Sequence, residues 1–198
     1  MSGIFLSFLS PSGSSNQNTE SIAYPSLDKS KYYTYPSANK PLNRSDGGYQ
    51  DNIYFNSIPL PASTLESLSC YVHSGAGTGR FLRMGLYDAL DGLPANLLAE
   101  GEIEVTSNGV QSVNLNVPIA SGEYFLCYTA SYTFTIRASH QNDIALTGYL
   151  VGVDSPDDDF HTGLRFERSY SNLPQIFNKN DYIQKNCYRS PLIFCKFV

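Results

Sequence analysis

From Asn52 onward the chain repeats one pattern: short runs in which every second residue is apolar, separated by turn residues. Leu68, Cys70 and Val72 alternate with Ser69 and Tyr71; Leu82, Met84 and Leu86 with Arg83, Gly85 and Tyr87; Val113, Leu115 and Val117 with Ser112, Asn114 and Asn116. A period of two places each apolar set on one face of an extended strand. Further strands are expected at Ile53 to Ile58, Glu102 to Thr106, Glu123 to Thr129, Phe134 to Ala138, Ile144 to Val151, Gly163 to Ser169 and Leu192 to Val198. Turn chemistry separates them at Gly75-Ala76-Gly77-Thr78-Gly79, Asp91-Gly92-Leu93-Pro94, Ser107-Asn108-Gly109 and Ala120-Ser121-Gly122. Asn108-Gly109, set between two alternating runs, predicts a hairpin joining Glu102 to Thr106 with Val110 to Val117. The stretch Ala95 to Glu100 is too short for a helix without packing support and reads as a loop with room for one helical turn. Eight to ten short strands spaced in this way predict an all-β fold, a two-sheet antiparallel sandwich that is jelly-roll-like, with an extended N-terminal arm.

The arm is residues 1–50 and the sandwich is 51–198. Eleven serines and five tyrosines fall in the first fifty residues, with no sustained periodicity, so this stretch has no means of building a packed core. Its head is nonetheless apolar: Ile4, Phe5, Leu6, Phe8 and Leu9. Removing apolar area from water is worth roughly 25 cal/mol per Å². The head and the tyrosines Tyr24, Tyr32, Tyr33 and Tyr35 are therefore expected to bury against a neighbouring chain, making the arm a device for anchoring or assembly.

Charge excludes one class of partner. Thirteen Lys and Arg against eighteen Asp and Glu give a net charge of -5, and only 16% of residues are charged. Binding to a phosphate backbone needs clustered cations, so no nucleic acid partner is expected. No apolar run approaches the roughly 20 residues of a spanning helix, and no membrane insertion is expected. Met1-Ser2-Gly3 carries no basic residue and Pro11 interrupts the apolar stretch, so Met1 reads as the mature start. The cysteines Cys70, Cys127, Cys187 and Cys195 lack CxxC spacing and sit in strand-like contexts, as free thiols in a reducing cytoplasm do.

The histidines His73, His140 and His161 stand in no catalytic or metal motif. Gly75 to Arg80 lacks the Lys-Ser/Thr of a phosphate loop and no helix pattern follows it. The run Asp154-Ser155-Pro156-Asp157-Asp158-Asp159 departs from EF-hand spacing and reads as a solvated turn; Asp154, Asp157 and Asp159 are the first residues to name should a metal bind. No cofactor and no catalytic activity are expected. Fifteen tyrosines and eleven phenylalanines bring aromatic content to 13%, and exposed Tyr rings can stack on sugars. Tyr128, Tyr132, Tyr149 and Tyr170 are the candidates for contact with a host surface glycan, against the alternative that they pack in strands and interfaces.

One ordered set of segments resembles a known family. Arg83-Met84-Gly85-Leu86-Tyr87-Asp88, then Asp91-Gly92-Leu93-Pro94, then Asn96-Leu97-Leu98-Ala99-Glu100-Gly101, then Val110 to Val117 and Gly122-Glu123-Tyr124-Phe125-Leu126 are similar to a β-sandwich module of tailed-bacteriophage virion proteins. In that family an RxGIY strand precedes a G-x-P turn, an LL segment and a late G-x-Y-W-L strand; Phe125 stands where the family often has Trp. The resemblance covers about a third of the chain and leaves out the arm and the C-terminal third. It implies a structural or receptor-binding subunit located on the virion, such as a head fibre, capsid decoration or tail appendage. Such subunits are made in the host cytoplasm, contact other virion proteins and form homo-oligomers, commonly trimers. A carbohydrate- or receptor-binding module is the alternative reading.

Overall fold

A computed structural model of the chain describes residues 27, 29–34, 45–140, 163–185, 187 and 189–198. Twelve strands run through them: β1 Ser45–Gly48, β2 Asn52–Leu60, β3 Ser63–Ser74, β4 Phe81–Leu90, β5 Leu93–Glu104, β6 Gly109–Ile119, β7 Gly122–Ala130, β8 Phe134–His140, β9 Leu164–Glu167, β10 Ile183–Lys185, β11 Arg189–Pro191 and β12 Phe194–Phe197. The strand expected at Ile144 to Val151 lies outside the described residues.

The first eight strands form the two sheets of a jelly roll. One sheet runs β1-β8-β3-β6 and the other β2-β7-β4-β5, with every pair antiparallel. β11 and β12 add to the first sheet on β8 and β3, while β9 and β10 extend the second beyond β2. The expected all-β, two-sheet antiparallel sandwich is thus the observed fold. Its first sheet begins at Ser45, inside the stretch read as arm, because β1 pairs with Phe134 to Arg137 of β8.

From β1 to β8, each strand crosses to the opposite sheet except at β4–β5. That one connection is a two-residue hairpin. Leu90 pairs with Leu93, and Asp91 and Gly92 between them both take positive φ, 53° and 74°. Two left-handed residues match the twist of the flanking strands. The hairpin expected at Asn108-Gly109 is corrected: β5 pairs with β4 and β6 with β3, so this turn carries the chain from one sheet to the other. The two alternating runs face each other across the core, and a Cβ built on Gly101 would lie 2.7 Å from Cβ of Val113. The loop expected at Ala95 to Glu100 is also corrected. It lies within β5, where pairing with β4 supplies the backbone partners that a six-residue helix would lack.

The sandwich holds two apolar clusters. Between the sheets, Leu65, Leu68, Cys70 and Val72 of β3 join Leu82, Met84 and Leu86 of β4 and Leu126, Tyr128 and Ala130 of β7. The second cluster lies outside the second sheet, where Ile53, Phe55, Tyr87, Phe125, Cys127 and Phe166 meet Leu173 and Phe177. Cys70, Cys127 and Cys195 are buried free thiols, and Cys187 is buried as well.

Candidate functional site

The outer faces of the two sheets are treated differently. Residues 168–182 pass over the outside of the second sheet as a strap. Leu97 N donates to Gln175 O at 2.9 Å and Phe177 N to Ala95 O at 2.8 Å, so the strap caps the edge of β5. Tyr87 Oη donates to Pro174 O at 2.8 Å and Leu173 N to Glu100 Oε2 at 3.0 Å. Phe177 lies edge-on to Phe55, ring centroids 4.6 Å apart, and stacks on Tyr182 at 5.1 Å. Edge-to-face pairs of this kind add to the burial itself.

The first sheet has a more open outer face. Along β3 the residues Ser67, Ser69, Tyr71 and His73 occupy alternate positions to the inward Leu68, Cys70 and Val72, and the same parity turns Val110 and Ser112 of β6, Arg137 of β8 and Phe194 of β12 outward. Val110 is 63% exposed and Tyr32 is 53% exposed. Together with Ser69, Tyr71, Arg137 and Phe194 they line a groove of about 200 Å³.

Tyr32 reaches the groove because its neighbour is fixed to the sheet. Tyr33 N donates to Cys195 O at 2.8 Å and Cys195 N to Tyr33 O at 2.6 Å, a two-way backbone bridge to β12. The Tyr33 ring packs on Phe197 at 5.9 Å, and Leu27 packs on the inter-sheet core.

The polar groups of the groove are unevenly satisfied. Ser69 and Ser112 hydroxyls share a hydrogen bond of 2.8 Å. The Arg137 guanidinium lies 5.2 Å from the Tyr71 ring centre, and His73 packs on the same ring at 4.8 Å. Arg137 Nε and His73 Nε2 are both buried without a hydrogen-bond partner.

The residues named from sequence fall in several places. Ile4, Phe5, Leu6, Phe8, Leu9, Tyr24 and Tyr35 of the arm lie outside the described residues, as do Tyr149, Asp154, Asp157, Asp159 and His161. Tyr33 is corrected as a contact with a neighbouring chain, since it bridges Cys195 and packs on Phe197 of its own chain, and Tyr32 lies exposed beside it. Tyr128 is corrected as a glycan contact: it points between the sheets, is 0% exposed and stacks edge-on to Tyr54 at 6.1 Å. Tyr170 holds the strap instead, its Oη donating to Glu102 at 2.5 Å. Tyr132 is 39% exposed, but the Arg80 guanidinium covers one face of its ring at 3.7 Å. The same Arg80 donates to Gly75 O at 2.6 Å, which closes the glycine-rich loop on itself.

Tyr71, Arg137, Val110 and Phe194 are not among the site residues expected from sequence. The signal available was their place at outward positions of alternating strands; what joins them is pairing between strands distant in sequence. Among the described residues no group of three or more His, Cys, Asp and Glu is placed to hold a metal. Comparison with protein-family models and with curated proteins finds no match to this chain.

Proposed function

We propose that this protein is a non-catalytic structural subunit of a tailed-bacteriophage virion, a capsid decoration, head-fibre or tail-appendage protein that assembles through its N-terminal arm and displays a jelly roll. A jelly roll serves many functions, so the fold alone does not select this one. The observation that carries the reading is the apolar head Ile4, Phe5, Leu6, Phe8 and Leu9, set in a serine-rich arm with no means of building a packed core. The Tyr33–Cys195 bridge ties the base of that arm to its own sandwich by adding backbone to a sheet.

From Leu27 on, the described part of the arm is tied to its own sandwich. The apolar head of the arm, Ile4 to Leu9, is the part read as burying on a neighbouring subunit. The segments that resemble virion proteins fall on β4 to β7, four consecutive strands of the jelly roll, so the resemblance and the fold concern the same unit.

The test is incorporation into particles. A chain lacking residues 1–26 keeps every strand and the Tyr33–Cys195 bridge, and is expected to fold, stay soluble and be missing from purified particles by mass spectrometry. Incorporation at the level of the full chain would remove the arm from the account.

A further inference from the structure

We propose that the groove on the outer face of the first sheet binds a carboxylate-bearing sugar, a single pyranose ring of the uronic or sialic acid kind. This is a second role beside assembly and does not depend on it.

Arg137 is the starting point. Arg83 pairs with Glu100 and Glu102, Arg165 donates to Asn52, Arg80 to the Gly75 carbonyl and Arg168 to the Asn172 carbonyl. Among the described residues Arg137 has no such acceptor: it leans on the Tyr71 ring and keeps its Nε buried and unpartnered. A buried donor without an acceptor is costly in a folded protein. His73, packed on the same ring, has a buried Nε2 that is likewise without a hydrogen-bond partner. The Arg137 guanidinium, which lines the groove with no acceptor among the described residues, asks for one from outside the chain.

The rest of the lining states what else that acceptor must carry. Tyr71, Tyr32 and Phe194 supply rings, and Val110 an aliphatic wall, suited to the flat C–H face of a sugar. Ser69 adds a hydroxyl at the floor. At about 200 Å³ the groove is smaller than the roughly 300–1,000 Å³ of sites for drug-sized ligands, which fits one ring and not an oligosaccharide chain. The charge is selective too. One guanidinium offers a planar fork that matches a carboxylate, and among the described residues no second cation lines the groove to balance a phosphate dianion.

Methyl β-D-glucuronide and methyl β-D-glucoside differ in the carboxylate alone and make the matched probes, with N-acetylneuraminate as a second acidic sugar. Titrated into the full-length protein and followed by NMR chemical shifts, at least one acidic probe is expected to saturate, with the glucoside at least tenfold weaker. Arg137→Gln should bring the acidic sugar down to the level of the glucoside, Arg137→Lys should recover part of the difference, and Tyr71→Ala should remove binding of both, while thermal melting shows each variant folded. A glucoside that binds as well as the tighter acidic probe, unchanged binding in folded Arg137→Gln, or no saturable binding of either acidic probe would overturn the proposal. Any of these leaves particle assembly untouched, because the arm deletion is read separately.

Discussion

Leu173 sits directly over Gly85: a Cβ built on this glycine would meet Leu173 Cδ1 at 2.4 Å and the Ala99 carbonyl oxygen at 3.1 Å. The absence of a side chain on β4 is what lets the strap lie flat on the second sheet. A methyl group there must displace the Leu173 side chain, which packs with Phe55 and Phe177, and crowd the Ala99 carbonyl. Gly85→Ala is therefore expected to destabilise the fold by about 1–3 kcal/mol, the usual cost of overpacking. Urea denaturation measures it, and a change below the error of the fit would mean that the strap is not seated as described.

Tyr87 holds the same strap by one hydrogen bond, to the Pro174 carbonyl. Its ring is fully buried against Phe55, centroids 5.3 Å apart, so Tyr87→Phe keeps the packing and loses only the hydroxyl. The expected loss is about 0.5–1.5 kcal/mol. It should appear as faster proteolytic cleavage within residues 168–182, with cleavage elsewhere unchanged.

Burial pushes the Cys70 thiol up to about 12. In the unfolded chain a thiol titrates near 8.5, so between these values the unfolded state has lost a proton that the folded state keeps. The stabilising term is fully present below about pH 8.5 and is lost as pH rises toward 12, at about 1.4 kcal/mol per pH unit for this group. Cys70→Ala should flatten the alkaline fall in stability by that slope, whatever the substitution costs at pH 7. Cys127 and Cys195 are shifted upward by the same cause, and all three should stay silent toward a thiol reagent at pH 8 until the protein unfolds.

The sandwich was legible where a strand has only one buried face. Leu68, Cys70 and Val72, and Leu82, Met84 and Leu86, all point inward as their alternation required. β7 behaves otherwise: Tyr124 to Ala130 are all buried, because the strap covers the face that would have met water. Nothing local announces that strap. Leu173 and Phe177 gain their meaning from Phe55 and Tyr87, about a hundred residues earlier.

Turn chemistry was legible as a turn but silent on its partners. Gly109 does take a positive φ of 123°, yet whether the following strand pairs with the preceding one depends on β3 and β4, which take β6 and β5 as partners. The groove was hidden for the same reason. Tyr71 and Arg137 read as ordinary outward residues until β3 and β8 pair and place one over the other.

The central claim is that residues 1–26 find their burial on another subunit while the sandwich folds without them. Native mass spectrometry of the full chain and of a chain lacking residues 1–26, at the same micromolar concentration, tests it most directly. The account predicts a closed oligomer for the full chain and a folded monomer for the truncated one. A full-length chain that stays a single copy, or a truncated chain that still assembles, would contradict it.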